Sequence, residues 1–174
     1  FQSGQENAYI ELVDRYKDRL LNFVFHFLGD LDESEDVVQE TMIKLYQKKH
    51  YYREIAKFST WIFTIARNLT NTVLRKRKRK KIVFLSQLNK DRDQKIAATQ
   101  PNIDQEIEND FIRERVEIAI NNLPEHFKTV VILREVEQLS YDDISKILDV
   151  PLGTVKSRIN RARIQMQLDL QDLK

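Results

Sequence analysis

Cysteine is absent from the 174-residue chain, which excludes disulfide staples, thiolate metal sites and cysteine nucleophiles together. Glycine and proline are scarce, at three each. That scarcity argues against β-sandwiches, barrels, P-loops and dinucleotide folds, all of which are rich in turns. Only three histidines occur, His26, His50 and His126, too far apart in sequence to suggest a multi-histidine metal centre. No apolar stretch approaches a membrane span, and no signal-peptide pattern opens the chain, so no membrane insertion is expected. The chain starts at Phe1 rather than a methionine, which predicts that N-terminal residues are missing or that a few tag residues remain. What is present, 41% hydrophobic and 32% charged residues, reads as an all-α soluble protein of one or two domains.

The net charge of +2 conceals an asymmetry. Arg75 to Lys81 is an unbroken run of seven basic residues; the remaining 22 basic side chains face 27 acidic ones. A mildly acidic chain with one concentrated basic block suits a partner with a charged backbone.

Apolar residues at Tyr9, Leu12, Val13, Tyr16, Leu20, Phe23, Val24 and Phe27 recur at three-and-four spacing and predict a helix from Glu6 to Leu28, stopped by Gly29. Asp32 with Glu35 resembles a capping box for a second helix, whose stripe is Val38, Met42 and Leu45, to about Lys48. Lys49 to Lys57 breaks the period. Ser59 or Thr60 is placed to cap a third helix through Trp61, Ile62, Ile65, Ala66, Leu69 and Val73 into the basic block. Residues 82–110 lose the pattern and read as a linker, with room for a helical turn at Ile82 to Leu88. The chain thus divides into 1–81, the linker 82–110, and 111–174. In the last part Phe111, Val116, Ala119, Ile120 and Leu123 mark one helix, and Pro124 opens another carrying Val130, Val131 and Leu133.

The clearest motif follows, from Ser140 to Arg163. Ile144, Ile147 and Leu148 form the inner face of one helix, and Val150 plugs a turn at Asp149-Val150-Pro151. Val155, Ile159, Ala162 and Met166 form the inner face of the next, from about Gly153. This is the pattern of a helix-turn-helix whose second helix enters a DNA major groove. Its outward residues are Lys156, Ser157, Arg158, Asn160, Arg161 and Arg163. Between Pro151 and Arg163 there are four basic residues and no acidic one, which fits phosphate and guanine contacts. The bland alternative is a helical hairpin with a solvated basic face; turn, core spacing and charge together favour the DNA reader.

Three further features are less specific. A helical Arg75–Lys81 run would repel itself by about 1–4 kcal/mol at low salt, which a bound polyanion would offset; a solvated end or a localisation signal fits the run equally well. Tyr51, Tyr52, Phe58 and Trp61 cluster near His50 and Arg53, as aromatics do where unstacked bases are held, although Trp61 reads more readily as core. Asp36, Gln39 and Glu40 share a helix face opposite Val38 and Met42, and periodicity alone makes that a solvated face.

Asp36-Val-Val-Gln-Glu-Thr-Met, Phe58-Ser-Thr-Trp-Ile-Phe-Thr-Ile-Ala-Arg-Asn68, Leu123-Pro124 with Phe127, and Val150 to Arg163 together resemble the extracytoplasmic-function sigma factors, the promoter-recognition subunits of bacterial RNA polymerase. The motifs occur in the family's order and span both domains. The resemblance implies that 1–81 handles the −10 element and 111–174 the −35 element. It also implies that Asp36, Gln39 and Glu40 grip core RNA polymerase, overturning their reading as a solvated face. The −10 strand would be read and melted by His50, Tyr51, Tyr52, Arg53, Phe58, Thr60, Trp61, Arg67 and Asn68, with Arg75, Arg77 and Arg79 from the basic run. Thr154, Lys156, Ser157, Arg158, Asn160 and Arg161 would contact the −35 element. Many family members carry Asp where this chain has Thr72, and their following basic stretch is less dense, which leaves the contacts of the run open. An anti-sigma partner and a cytoplasmic location are implied as well.

The reading is therefore an all-α, two-domain sigma factor that binds promoter DNA and core RNA polymerase, with no cofactor, no metal and no catalysis of its own. A duplex-binding repressor is the rival, but no heptad seam for a dimer is visible. An enzyme would need a Walker loop, metal-ligand spacing or a nucleophile–base set, and none appears in the sequence.

Overall fold

A computed structural model describes residues 1–53, 56–88 and 109–171, and among these every regular element is helical. Helix α1 (Glu6–Leu28) ends as its sequence predicts. Gly29 takes a left-handed conformation, φ 62°, and its N–H donates to the Phe25 carbonyl at 2.8 Å. Helix α2 (Leu31–Gln47) is capped two residues earlier than expected. The Asp30 carboxylate, not Asp32, accepts from the Glu33 N–H at 2.9 Å, because Asp30 is the extended residue left outside the helix by the Gly29 turn. A short 3₁₀ turn (Lys49–Tyr51) follows.

Helix α3 (Phe58–Leu88) runs through the basic block and beyond it. Residues 82–88 therefore continue the helix rather than form a separate turn. Its first backbone bond runs from the Trp61 N–H to the Lys57 carbonyl at 3.4 Å, so neither Ser59 nor Thr60 is the cap; both lie inside the first turn. Helices α1, α2 and α3 close around Leu20, Phe23, Val24, Leu45, Ile62, Phe63 and Ala66, all essentially inaccessible. Phe63 meets the Phe23 ring edge-on at 5.4 Å, a buried aromatic pair that adds about 0.5–1.5 kcal/mol to its burial. Ile65, expected on the inner face, is only half-buried, because the core side of α3 turns through Ile62, Phe63 and Ala66.

In the second half, α4 (Asn109–Asn122) leads to α5 (Glu125–Val131), with Pro124 just outside as cap and its carbonyl accepting from the N–H groups of Phe127 and Lys128. Helix α5 widens into a π turn over Ile132–Val136, where the Glu137 N–H reaches the Ile132 carbonyl at 3.0 Å. Gln138 then takes φ 55°, and Leu139 is buried. Helix α6 (Tyr141–Leu148) is capped by the Ser140 hydroxyl, which accepts from the Asp143 N–H at 3.1 Å. Asp149, at φ 54°, turns the chain into α7 (Leu152–Asp169). The two halves are in contact: α3 lies against α6, and α1 reaches the end of the π turn.

Candidate nucleic-acid interface

Helices α6 and α7 form the helix-turn-helix that the spacing predicts. Ile144, Ile147 and Leu148 on α6 are buried with Val155, Ile159 and Ala162 on α7. The Ser145 hydroxyl donates to the Val150 carbonyl, tying the turn to the first helix. Burying one side of α7 forces the other outward: Lys156, Ser157, Asn160 and Arg161 are exposed, and Thr154 and Arg158 are half-exposed. Among the described residues no acid pairs with Lys156 or Arg161, so that face keeps its positive potential. Arg163 differs. It donates to Glu135 at 2.6 Å, and that hydrogen bond and charge raise its pKa further, so it braces α7 against the π turn.

The aromatic cluster is real but unevenly exposed. Tyr52 packs on Phe58 (5.5 Å between ring centroids) and on Trp61 (5.3 Å), and its hydroxyl donates to the Ala56 carbonyl at 3.0 Å. Phe58 leans on Tyr16 of α1 at 5.4 Å. Trp61, which reads more readily as core, is half-buried and packs against the core without being enclosed by it. Tyr51 alone projects, at 79% exposure, with His50 and Arg53 exposed beside it. A solvated ring beside cations is ready to stack on a base.

On α2, Asp36, Gln39 and Glu40 are all exposed on one face, while Val37, Val38, Thr41 and Met42 are buried behind them. Across from that face stands the basic run. Glu33, Asp36 and Glu40 on α2 and Lys76, Arg77 and Lys80 on α3 line opposite walls of one groove of about 260 Å³, floored by Val37 and Val73. Arg77 is committed to the fold: it donates to the Leu28 carbonyl at 2.7 Å and to Glu33 at 3.0 Å. Arg75 and Arg79 are exposed.

Two more of the residues implied for the −10 strand are, like Arg77, engaged within the fold. Thr60 is buried, and its hydroxyl donates to the Asp143 carboxylate of α6 at 2.9 Å. Arg67 donates to the Ile147 carbonyl at 3.1 Å; burial lowers its pKa, Glu125 and Asp149 oppose that, and Arg158 adds to it. Asn68, one residue on, is exposed. Four residues that sequence reasoning passed over make the rest of this seam. Lys57 pairs with Asp143 at 3.3 Å. Arg19 donates to the Glu137 carboxylate at 3.0 Å and lies over the Tyr16 and Phe63 rings. Glu137 is 5% exposed; burial raises its pKa, against the charge and hydrogen bond of Arg19. Of the four only Asp143 lies within a motif, the helix-turn-helix stretch, and the partners of all four lie more than eighty residues away. Among the described residues no buried side-chain polar atom lacks a partner, and no cluster of three or more metal-ligating side chains occurs. None of the described helices is long and apolar enough to cross a membrane.

Comparison with known proteins gives two family matches, Sigma-70 region 2 over residues 12–80 and Sigma-70, region 4 over residues 113–166. The chain is 32% identical to the ECF RNA polymerase sigma factor SigW of Bacillus subtilis, covering 99% of this chain and 94% of the relative. It is 35% identical to the ECF RNA polymerase sigma-E factor of Haemophilus influenzae, covering 99% and 92%. Among solved structures it shares its fold with the sigma factor RpoE, determined in complex with the anti-sigma factor NepR from Bartonella quintana. The TM-score there is 0.72 at 24% identity, covering 94% of this chain and 97% of that one.

Proposed function

The chain belongs to the extracytoplasmic-function sigma factors of the sigma-70 family, which recognise promoters and start transcription without catalysis of their own, and from that premise we propose how its residues divide the work. Residues 1–81 serve core polymerase and the −10 element, 111–174 serve the −35 element, and 82–110 join them. The observation that carries this division is α7. Its buried side locks it into a helix-turn-helix, and its unpaired cationic side faces solvent in the stretch matched by sigma region 4. Lys156, Ser157, Arg158, Asn160 and Arg161, with Thr154 at the helix start, meet the −35 bases and phosphates.

The exposed face of Asp36, Gln39 and Glu40 docks on core polymerase, which fits an acidic and amide surface backed by a rigid apolar core. The −10 strand follows His50, Tyr51, Tyr52 and Arg53 to the first turns of α3, where Phe58, Thr60, Trp61, Arg67 and Asn68 lie, and then the cations Arg75 and Arg79. Arg77 supports that surface from behind through Glu33. Extruding a base costs a few kcal/mol of unstacking, and stacking on an aromatic ring returns about 1–3 kcal/mol per base. The solvated Tyr51 ring is the group best placed to supply it. Work on polymerase places the chain in the cytoplasm, and an anti-sigma protein is the expected partner that restrains it.

The test is direct. The purified chain added to core polymerase yields specific transcripts from a defined promoter, and core alone does not. A chain that binds promoter duplex yet never supports initiation refutes this assignment and favours a duplex-binding regulator.

A further inference from the structure

Deepening that reading of the −10 surface, on which it rests, we propose that Gln2 is a positioning residue for promoter melting: its carboxamide clamps both ends of the 3₁₀ turn and so presents Tyr51 to an extruded base. The observation is one nitrogen with two long-range partners. Gln2 Nε2 donates to the Lys49 carbonyl at 2.7 Å and to the Tyr52 carbonyl at 2.9 Å, across 47 and 50 residues of chain. A carboxamide nitrogen carries two hydrogens, so both are used, and only this orientation of the amide satisfies both carbonyls. The two acceptors bracket His50 and Tyr51. Carbonyls that close a helical turn lack partners farther along the chain, and Gln2 supplies donors from outside it.

Gln2 is itself held. The Gly4 N–H donates to the Phe1 carbonyl at 3.1 Å, and Gly4 sits at φ 87°, a conformation that a side chain would strain, so the segment ahead of α1 folds back as a hook. Phe1 anchors the hook. Its ring stacks on Tyr9 with centroids 5.6 Å apart and lies 6.3 Å from the Tyr46 ring, while the Tyr9 hydroxyl donates to the Met42 carbonyl at 3.1 Å. The ends of the turn are fixed a second time through their side chains. Lys49 places its ammonium 4.6 Å from the centre of the Tyr46 ring, and Tyr52 packs on Phe58 and Trp61. Between these anchored ends His50 and Tyr51 project into solvent. A solvated ring on a fixed backbone is preorganised, so less conformational freedom is lost when a base stacks on it. The clamp touches no DNA and acts through the ring that it aims.

The experiment uses holoenzyme assembled from core polymerase and the full chain. Anisotropy reports its affinity for a labelled single strand carrying the −10 sequence of a promoter that it uses. Gln2→Met keeps the length of the side chain, adds no charge and removes both donors. It is expected to lower affinity for the strand by about threefold to tenfold, because the released turn samples geometries in which Tyr51 points away. Gln2 is exposed, so the melting temperature and the affinity for core are expected to stay at wild-type values. The decisive comparison is a cycle with Tyr51→Ala. A clamp that works through the ring adds no loss once the ring is gone, whereas a Gln2 that merely stabilises the fold, or touches DNA itself, costs the same in either background. Equal losses in the two backgrounds overturn the proposal. So does wild-type affinity in Gln2→Met where Tyr51→Ala binds poorly, and in both cases the −10 reading stands. If Tyr51→Ala alone binds the strand as well as wild type does, the −10 role of this ring fails, and the purpose of the clamp fails with it.

Discussion

Replacing Tyr51 by alanine separates promoter melting from folding more cleanly than any other change in the aromatic loop. The ring is 79% exposed, so its loss alters stability by no more than about 0.5 kcal/mol, as for other surface positions. If an extruded base stacks on it, the substitution removes about 1–3 kcal/mol from the open complex. At about 1.4 kcal/mol per tenfold, this lowers the fraction of melted promoter by roughly 5- to 150-fold. Tyr52 is the contrasting control. It packs against Phe58 and Trp61 and bonds to the Ala56 carbonyl, so Tyr52→Ala forfeits two aromatic contacts and costs about 1–3 kcal/mol of folding before any DNA is bound. Permanganate reactivity of unpaired thymines in the −10 region, measured on holoenzyme at a promoter it uses, is the assay. Tyr51→Ala is expected to lose reactivity on duplex promoter, to keep its melting temperature and its affinity for core, and to regain reactivity on premelted DNA. Wild-type reactivity on duplex DNA would show that this ring holds no base, and Trp61 would then be tested next.

The remaining expectations are narrower. Gln39→Ala with Glu40→Ala weakens association with core polymerase while the melting temperature stays within a degree or so, because the exposed Glu40–Lys44 pair contributes only about 0.3–0.5 kcal/mol; wild-type affinity for core removes this face from the docking surface. Arg161→Ala costs about 1–3 kcal/mol and relaxes preference at one −35 position if it meets a guanine edge, or lowers the salt slope by about one if it meets phosphate. Unchanged affinity together with an unchanged slope counts against α7 as the reader. Burial alone would raise the Asp143 pKa, but hydrogen bonds from Ser140, Thr60 and Lys57 and the Lys57 charge outweigh it, so the folded value lies below the ordinary one. The unfolded chain then takes up the proton first. Asp143 therefore stabilises the fold fully above the ordinary carboxylate range, and the contribution fades as pH falls through the lowered folded value. The melting-temperature difference between wild type and Asp143→Asn is expected to shrink on acidification, and a difference that is flat with pH refutes this linkage.

What could be read in the chain beforehand follows from what repeats locally. Helix α1 with its Gly29 stop and the buried face of α7 are periodic in sequence, and both stand where expected. The sequence misplaces the cap of α2 because Asp32-Glu-Ser-Glu35 looks as good a signal as Asp30; only the left-handed Gly29 turn decides between them. The π turn at Ile132–Val136 has no signature of its own, since Val130, Val131 and Leu133 fit an ordinary helix equally well. Arg19, Lys57, Glu137 and Asp143 look like any charged residues on amphipathic helices. Their roles arise from pairing across more than eighty positions, which no window of local sequence contains. The same limit hid Thr60, which reads as a cap by position and is drawn inward by a partner on α6.

The continuity of α3 from Phe58 to Leu88 fixes a length as well as a surface. At 1.5 Å per residue, the start of the basic run lies about 21 Å along the axis from Trp61 and its end about 30 Å. Against a duplex rising 3.4 Å per base pair, that span corresponds to roughly six to nine base pairs. The aromatic end and the cationic end are thus set apart as on a ruler, with no hinge between them to adjust the spacing. Seven consecutive cations wind almost two full turns, so they radiate in nearly every direction around the rod. A sleeve of charge like this is indifferent to how the helix is rolled and sensitive only to how far along it a backbone passes. Arg77, bound to Leu28 and Glu33, breaks that symmetry by pinning one side of the sleeve to the body of the protein. The other six cations keep the freedom to follow a curved or melting strand, while the distance to the aromatic loop stays constant.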